Sequence, residues 1–301
     1  MWPEPLKGLF YKMNHKKMSP ISFFALRLDL MRNGVKIGSG TGFVYQPEGA
    51  DRKFLVTNYH VISARDPKEP HKSLPGLDSP DQIQFSFLRR PDYQLIRGGF
   101  SLVANEDYTW IEHKDRAQGI DIVAIPIEFP DDAIIVTQQQ LNLVDDINFE
   151  VGSDLFIIGF PYGHGASDFF PIWKRGTVAS EPLFKPEGLS RFYIDSLTKP
   201  GMSGSPVFAS DIRDLIFLKG EAKSNFEKYN RGEASALDVV TSLDADQIAK
   251  PVPTKCFQLV GIYSGRIIVH GEQDPNVGIV WHKKLIDELF SQPSIVRPAH
   301  H

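Results

Sequence analysis

The chain has 301 residues, of which 42% are hydrophobic and 23% are charged, as is typical of a folded globular protein. Its net charge of -4 and the lack of a run rich in lysine and arginine argue against nucleic acid or an anionic membrane as a partner. No stretch of about 18 apolar residues occurs, so no transmembrane helix is predicted. Because Cys256 is the only cysteine, no intramolecular disulfide can form. This cysteine usage fits a reducing compartment or a bacterial origin, and we expect a cytoplasmic protein.

The first part of the chain predicts an arm followed by a β-domain. Residues 1–20 are polar and irregular, and residues 66–80 are rich in loop-forming residues. From residue 21 to about 140, short apolar segments separated by turn residues are typical of a β-barrel or sandwich. The predicted strands include residues 42–45, 53–57, 83–88 and 121–127, and residues 55–62 are interpreted as an apolar strand that carries His60 at its end.

A second series of short strands begins near residue 153 and predicts a second β-domain over residues 141–290. It includes residues 155–158, 176–178, 192–194, 205–208, 257–263 and 277–281. Apolar residues then recur at helical spacing, which predicts a C-terminal helix packed on the body. These residues are Trp281, Leu285, Ile286, Leu289 and Phe290. Residues 291–301 are predicted to form a tail.

The segment 211–253 is an unusually long charged insertion in this second domain. Loops of such length are uncommon in compact domains and are either functional or disordered. Two interpretations stay open: a mobile surface insertion, and a lid or docking site for a regulatory partner.

One short segment carries the strongest chemical pattern. In Lys199-Pro-Gly-Met-Ser-Gly-Ser-Pro-Val-Phe208, Ser203 stands between Gly201 and Gly204 on a predicted tight turn. A serine hydroxyl is a poor nucleophile unless a base takes its proton and N–H donors hold the oxyanion. Alone, this turn is more often an ordinary loop, so the hypothesis needs partners.

Two upstream residues supply candidate partners for Ser203. His60 ends an apolar segment, and Asp121 opens the apolar run 121–127. Each has an ordinary interpretation, as an inert strand-end histidine and a solvated aspartate or turn cap. A carboxylate entering so apolar a run is costly to desolvate unless it is paired. The three residues occur in the order His, Asp, Ser. It is less favoured that all three ordinary interpretations hold together than that these residues form one site.

Four stretches give the chain a resemblance to a known family, the chymotrypsin/trypsin-like serine peptidases. They are Gly38-Ser-Gly-Thr-Gly-Phe-Val44, Thr57-Asn-Tyr-His60-Val, Asp121-Ile-Val-Ala-Ile and Gly201-Met-Ser203-Gly-Ser-Pro-Val. The chain is most similar to the disulfide-free bacterial branch, which includes the glutamyl endopeptidases and the high-temperature-requirement protease domains. The resemblance covers roughly residues 20–290.

The resemblance implies an all-β fold of two six-stranded antiparallel barrels with the active site between them, plus a short C-terminal helix. Residues 21–140 would form the first barrel with His60 and Asp121, and residues 141–290 the second with Ser203. In that family His60 is the general base, Asp121 orients it and Ser203 is the nucleophile. The backbone N–H groups of Gly201 and Ser203 would form the oxyanion hole. The expected substrate is a protein or peptide, and no metal or other cofactor is expected.

The resemblance also points to the residues around the substrate side chain. Leu197 takes the position at the base of the primary pocket, and Thr198 follows it. The pocket wall is assigned to Tyr263, Ser264 and Gly265. Leu197 favours an apolar or small side chain before the scissile bond, whereas Arg266 would favour an acidic one.

Other residues and other functions compete with this hypothesis. Ser205 is a second serine beside the nucleophile, and His113 and His164 are interpreted as surface residues. Met202 stands where secreted family members carry an aspartate that pairs with a new N-terminus, so that activation route is not expected. The alternatives to a peptidase are a catalytically weak binding or scaffold module of the same fold, and an esterase using the same triad.

Overall fold

The computed structural model describes residues 18–105, 107–215, 218–243, 251–269 and 272–291, with side chains for all of these except 268–269 and 272–275. The predicted arm and tail therefore lie almost wholly outside the described residues. Contacts divide the chain into two compact units, Met1–Ala209 with Gln258–His301, and Ser210–Phe257. Among the described residues, no helix combines the length and the apolarity needed to cross a membrane.

The first half of the larger unit is a mostly antiparallel β-structure. Eight strands join one sheet in the order β10-β4-β1-β2-β3-β9-β8, with β5 paired to β4, and β6 and β7 form a separate two-stranded sheet. The strands are β1 Ala25–Arg32, β2 Val35–Tyr45, β3 Lys53–Thr57, β4 Gln82–Arg89, β5 Gln94–Ser101, β6 Val103–Ala104, β7 Asp107–Tyr108, β8 Ile111–Glu112, β9 Val123–Ile127 and β10 Ala133–Ile134.

The expectation of two closed six-stranded barrels is wrong for this half. Its described strands form an eight-stranded sheet rather than a closed barrel of six. Closing a sheet requires edge strands long enough to pair with each other along their length. Here β8 and β10 have two residues each, and β5 alternates exposed with half-buried positions, as an edge strand does.

The second half is the predicted six-stranded barrel. Its strands close in the order β11-β12-β13-β16-β15-β14, and the described pairs β11–β12, β11–β14, β12–β13, β13–β16 and β15–β16 are antiparallel. The strands are β11 Asp154–Gly159, β12 Ile172–Val178, β13 Arg191–Asp195, β14 Pro206–Leu215, β15 Val252–Val269 and β16 Glu272–His282. The barrel brings the segments before β14 and inside β15 side by side, where the candidate nucleophile and pocket wall lie.

Each half has its own apolar core. In the first, Leu28, Leu55, Ile83 and Ile125 are fully buried in one cluster. In the second, a separate cluster includes Leu155, Ile157, Phe192, Ile194, Met202 and Val280. Alternating strand positions supply these side chains, because successive residues of a strand point to opposite faces.

The described residues of the larger unit include two α-helices, α1 Tyr59–Ser63 and the predicted C-terminal helix, here α4 Lys284–Ser291. The Phe290 ring lies 4.6 Å from that of Phe54, and Asp287 accepts a hydrogen bond from the hydroxyl of Tyr45. The helix thus packs on β2 and β3. Single 3-10 turns occupy Pro20–Phe23, Arg116–Gln118, Gln138–Gln140, Pro161–Gly163 and Pro186–Gly188.

The smaller unit corresponds closely to the predicted insertion and contains regular structure that the sequence analysis did not predict. Its described residues include α2 Gly220–Asn230 and α3 Ala236–Thr241. Ser235 caps α3: its hydroxyl accepts from the Asp238 N–H, while the Asp238 carboxylate accepts from the Ser235 N–H. Such a capping box satisfies N–H groups that have no partner inside the helix. A docking role for this unit stays a prediction.

Candidate active site

His60 lies on a helix rather than at the end of a strand. Strand β3 ends at Thr57, and the chain turns through Asn58 into α1, which stops after one turn at Ala64 in the left-handed conformation, with φ 54°. The expectation of an apolar strand running through His60 is therefore wrong. The apolar residues Val61 and Ile62 are buried on the helix instead, because a helical turn also directs neighbouring side chains to the core.

Asp121 is buried and its carboxylate is paired, as its apolar sequence context requires. The His60 Nδ1 lies 2.6 Å from one carboxylate oxygen, and the His60 backbone N–H donates to the other at 2.9 Å. The hydroxyl of Ser264 donates to the carboxylate at 2.5 Å. The side chain of Asn58 also donates to the Asp121 backbone carbonyl at 2.7 Å, which fixes the start of the run. Three donors from two distant segments thus hold one carboxylate.

The environment raises the pKa of His60 above 6.5. Burial is the largest influence and acts downward, because it disfavours the charged imidazolium. The charge of Asp121, its hydrogen bond to Nδ1 and the charge of Asp66 act upward and together outweigh burial. The Asp121 contact therefore assigns Nδ1 as a donor and stabilises a proton gained by the ring.

The turn around Ser203 requires glycine on both sides. Gly201 and Gly204 have φ of 90° and 87°, a left-handed conformation that other residues rarely adopt. A Cβ on Gly204 would lie 1.9 Å from the carbonyl oxygen of Thr41, so no side chain fits there. Met202, between them, is fully buried in the apolar core of the second half. Apolar burial thus anchors the residue that is an aspartate in secreted family members.

The two peptide groups that flank Gly201 are both held by hydrogen bonds. The Tyr162 N–H donates to the carbonyl of Pro200 at 2.6 Å, and the Thr41 hydroxyl donates to the carbonyl of Gly201 at 2.8 Å. In a trans peptide the N–H points opposite to the carbonyl, so the Gly201 N–H faces away from Tyr162. Within the described residues, neither the Gly201 nor the Ser203 N–H donates a hydrogen bond.

His60 and Ser203 line the same cavity, which has a volume of about 570 Å³. The pocket wall is adjacent, because a Cβ on Gly265 would lie 4.0 Å from the Ser203 hydroxyl oxygen. No hydrogen bond joins the Ser203 hydroxyl to His60 in the part of the chain that the structure describes. Catalytic hydrogen bonds are often long in the absence of substrate and shorten when substrate binds.

The residues assigned to the specificity pocket lie in different places. Leu197 is 57% exposed and does not line the cavity, whereas Thr198 is fully buried. The hydroxyls of Thr198 and Tyr263 are hydrogen-bonded to each other. Arg266 lines the cavity and donates to the carbonyl of Thr198.

The competing residues lie outside the cavity. Ser205 is fully buried and does not line it. His113 is 1% exposed, so its interpretation as a surface residue is wrong. Its Nε2 lies 3.0 Å from a carboxylate oxygen of Glu288, and its Nδ1 accepts from the Asp115 N–H. The helix α4 covers this histidine, a long-range contact that the local sequence does not reveal.

The sequence did not reveal two groups that hold the backbone before Ser203, the Thr41 hydroxyl and the Tyr162 N–H. Thr41 lies in the Gly-rich segment that carried part of the resemblance, and it is fully buried. Its position as a polar residue between two glycines on a buried strand is the sequence signal that could have indicated a buried hydrogen bond. The Tyr162 contact is made by a backbone N–H group, which nearly every residue type has, so the sequence gives no signal for it.

Comparison with known proteins supplies an independent result. The family model for the trypsin-like peptidase domain matches residues 40–215. This match covers more than half of the chain and includes His60, Asp121 and Ser203. No curated protein matches the sequence.

Similar solved structures are distant. A serine endoprotease from Yersinia pestis has a TM-score of 0.46 and 11% identity, over 92% of this chain and 66% of that one. This chain therefore spans just under two thirds of the Yersinia chain. The active form of the Rv3671c protease from M. tuberculosis has a TM-score of 0.42 and 14% identity, over 99% and 90% of the two chains.

The fold and the family match together define a trypsin-like peptidase domain. The chain belongs to this family, and the predicted relationship to the chymotrypsin/trypsin-like serine peptidases is confirmed.

Proposed function

We propose that the protein is a serine endopeptidase that uses His60, Asp121 and Ser203 as its catalytic triad. The observation that carries the proposal is the contact of the buried Asp121 carboxylate with His60, which lines the same cavity as Ser203. A carboxylate on Nδ1 leaves Nε2 as the ring nitrogen able to accept a proton. The left-handed glycines on both sides of Ser203 supply the turn that an exposed nucleophile needs.

In the proposed reaction the Ser203 hydroxyl oxygen attacks the carbonyl carbon of the scissile peptide bond. His60 accepts the hydroxyl proton, and the carbonyl electron pair moves to oxygen. When the intermediate collapses, the C–N bond breaks and His60 returns the proton to the leaving amine. Water then attacks the acyl-enzyme by the same route and releases Ser203.

The N–H groups of Gly201 and Ser203 form the proposed oxyanion hole. Support comes from two contacts on the peptide groups that carry these donors: the Tyr162 N–H donates to the carbonyl of Pro200, and the Ser205 N–H donates to the carbonyl of Met202. Donors that are fixed before reaction stabilise the oxyanion without reorganisation, and one of them typically contributes about 3 kcal/mol. Here buried contacts and the apolar anchor Met202 would replace the ion pair of secreted relatives.

The pocket wall favours a peptide over a small ester as substrate. Strand β15 carries Tyr263, Ser264 and Gly265 beside Ser203. The backbone N–H and carbonyl of Tyr263 already bond to Ser205 and Gly204, so an extended peptide would pair by strand addition with the segment that follows, at Ser264 and Gly265. Main-chain hydrogen bonds of this kind need a substrate with several peptide groups.

Reaction of the protein with a fluorophosphonate probe tests the proposal directly. We expect the probe to label Ser203, and Ser203→Ala to abolish both labelling and cleavage of a proteome-derived peptide library. Ser205→Ala is the matched control, because it removes a buried hydroxyl two residues away that has no hydrogen-bond partner among the described residues. It should keep both activities. Labelling retained in Ser203→Ala would refute the assignment.

A second candidate is a binding module of the same fold with little turnover. The missing hydrogen bond between the Ser203 hydroxyl and His60 favours it. This candidate expects no labelling and no cleavage by the folded protein, but peptide binding that is equal for the wild type and Ser203→Ala.

A further inference from the structure

We propose that the substrate pocket accepts an acidic side chain before the scissile bond and binds its carboxylate through Arg266. This inference rests on the proposed function and names the substrate class of the same site. The sequence allows two hypotheses about the substrate side chain before the scissile bond: Leu197 favours an apolar one, and Arg266 favours an acidic one. The placement of the two side chains separates them.

Arg266 is within reach of the substrate. It follows Gly265, whose Cβ position is 4.0 Å from the Ser203 hydroxyl oxygen, and it lines the cavity. Its guanidinium group donates to the carbonyl of Thr198 and so spans from the wall strand β15 to the segment that precedes the nucleophile turn. The positive charge therefore lies between the two walls that would enclose the substrate side chain.

Among the residues whose side chains the structure describes, no acidic group forms an ion pair with Arg266, and its guanidinium bonds to the carbonyl of Thr198. A guanidinium group has five N–H donors in a planar fork, so the bond to Thr198 leaves capacity for a carboxylate. Asp78 is the one acid among the described residues that line the cavity, and it lies 3.7 Å from the guanidinium of Arg32. Lys199 adds a second positive charge to the lining.

Beside Arg266 the other substrate classes are less favourable, although the cavity lining also includes apolar residues such as Leu30, Ile37 and Leu74. A lysine or arginine side chain would meet Arg266 without an acid to receive it. An apolar side chain would take water from the guanidinium without replacing the lost hydrogen bonds, which is unfavourable. Leu197, the basis of the apolar hypothesis, is exposed and outside the cavity lining.

Matched peptides that differ only in Glu or Gln before the scissile bond test the proposal. The peptides would be built on the sequence that the wild type cleaves best in the library. Because a hydrogen bond to a charged group is stronger than a neutral one, we expect kcat/KM to be about tenfold higher or more for Glu. Arg266→Gln should reduce this ratio to near one while fluorophosphonate labelling of Ser203 continues.

Lys199→Gln is the control, because it removes the same charge from the same cavity. It should keep most of the Glu preference. An equal loss in both variants, or no Glu preference in the wild type, would overturn the assignment to Arg266.

A binding measurement separates this proposal from the proposed catalysis. Ser203→Ala would be titrated with Glu-containing and Gln-containing pools, and the expected result is tighter binding of the Glu pool that Arg266→Gln removes. If this preference is seen but the wild type is neither labelled nor cleaves peptides, the result would support the acidic pocket and refute the proposed peptidase activity. Labelling and cleavage without any preference for Glu would support the peptidase activity and refute the acidic pocket.

Discussion

The two halves of the larger unit hold their candidate catalytic groups in different ways. In the first half, Asp121 is held by two side chains and one N–H group: among the described residues, His60 of the same half and Ser264 of the second half provide the three donors to its carboxylate. In the second half, Ser203 is positioned by backbone conformation, through Gly201 and Gly204 at positive φ. Side-chain contacts therefore set the protonation chemistry of one half, whereas backbone geometry positions the nucleophile and the N–H donors of the other.

This difference predicts two kinds of mutational effect. Changes around Asp121 should alter the pH dependence of activity, because they change the charge that His60 experiences. Changes around Gly201 should lower kcat at every pH, because they move N–H donors that do not titrate. Variants in the two regions can show whether the division is real.

The largest expected effect is that of Asp121→Asn. The amide removes the charge that outweighs burial at His60, so the pKa of the ring should fall below its present raised value. It also replaces an acceptor of the Nδ1 proton, which favours the wrong tautomer, and kcat should drop by about 10⁴-fold. A pH profile of kcat/KM should show the acid limb shifted downward. A fall in kcat with an unmoved limb would contradict the electrostatic role.

The next effect is that of Gly201→Ala. Its Cβ would lie 2.5 Å from the carbonyl oxygen of Phe160, and its φ is unfavourable for alanine, so the turn must move. Displacing one oxyanion donor typically lowers kcat by about 10²- to 10³-fold. Gly152→Ala is a matched control, since Gly152 has a φ of 88° but nothing within 4 Å of its Cβ position. Equal losses of activity in both variants would show a general folding defect.

The sequence was sufficient for the parts of the fold and site that depend on local residue pattern. The run 53–57 is β3 as predicted, and the apolar stripe from Leu285 to Phe290 lies on α4. The glycines beside Ser203 are required by local backbone conformation, so residue identity reveals them. Strand closure was not predictable in the same way, because it depends on which edges meet in space.

Contacts between distant segments account for most of the remainder. The burial of His113 depends on Glu288, which lies 175 positions further along the chain. The contact of Thr41 with Gly201 spans 160 positions. Nothing in the neighbouring sequence encodes such a partner, so these residues could be interpreted only after the fold was known.

A smaller effect tests the buried hydroxyl that links the halves. Thr41→Val removes the donor to the Gly201 carbonyl and should lower kcat about fivefold with KM little changed, while Thr41→Ser should restore it. The size follows from one neutral hydrogen bond, whose net contribution is about 1 kcal/mol. Thr57→Val is the control, because Thr57 is equally buried and its hydroxyl donates to the Thr41 carbonyl. An equal loss in that control would make the role of Thr41 one of stability alone.

The smallest expected effect is the sharpest test of whether electrostatics at Asp121 and backbone geometry at Ser203 act separately. Because the pKa of His60 is raised, the wild-type acid limb should have its midpoint above pH 6.5, with the active neutral base present on the alkaline side. Ser264→Ala removes one donor from Asp121, which leaves more of its negative charge to stabilise imidazolium. The midpoint should therefore rise further, and kcat/KM should fall a few-fold below the midpoint but little well above it. A uniform loss at all pH values would place Ser264 with the residues that fix geometry, and the electrostatic account of the first half would then fail.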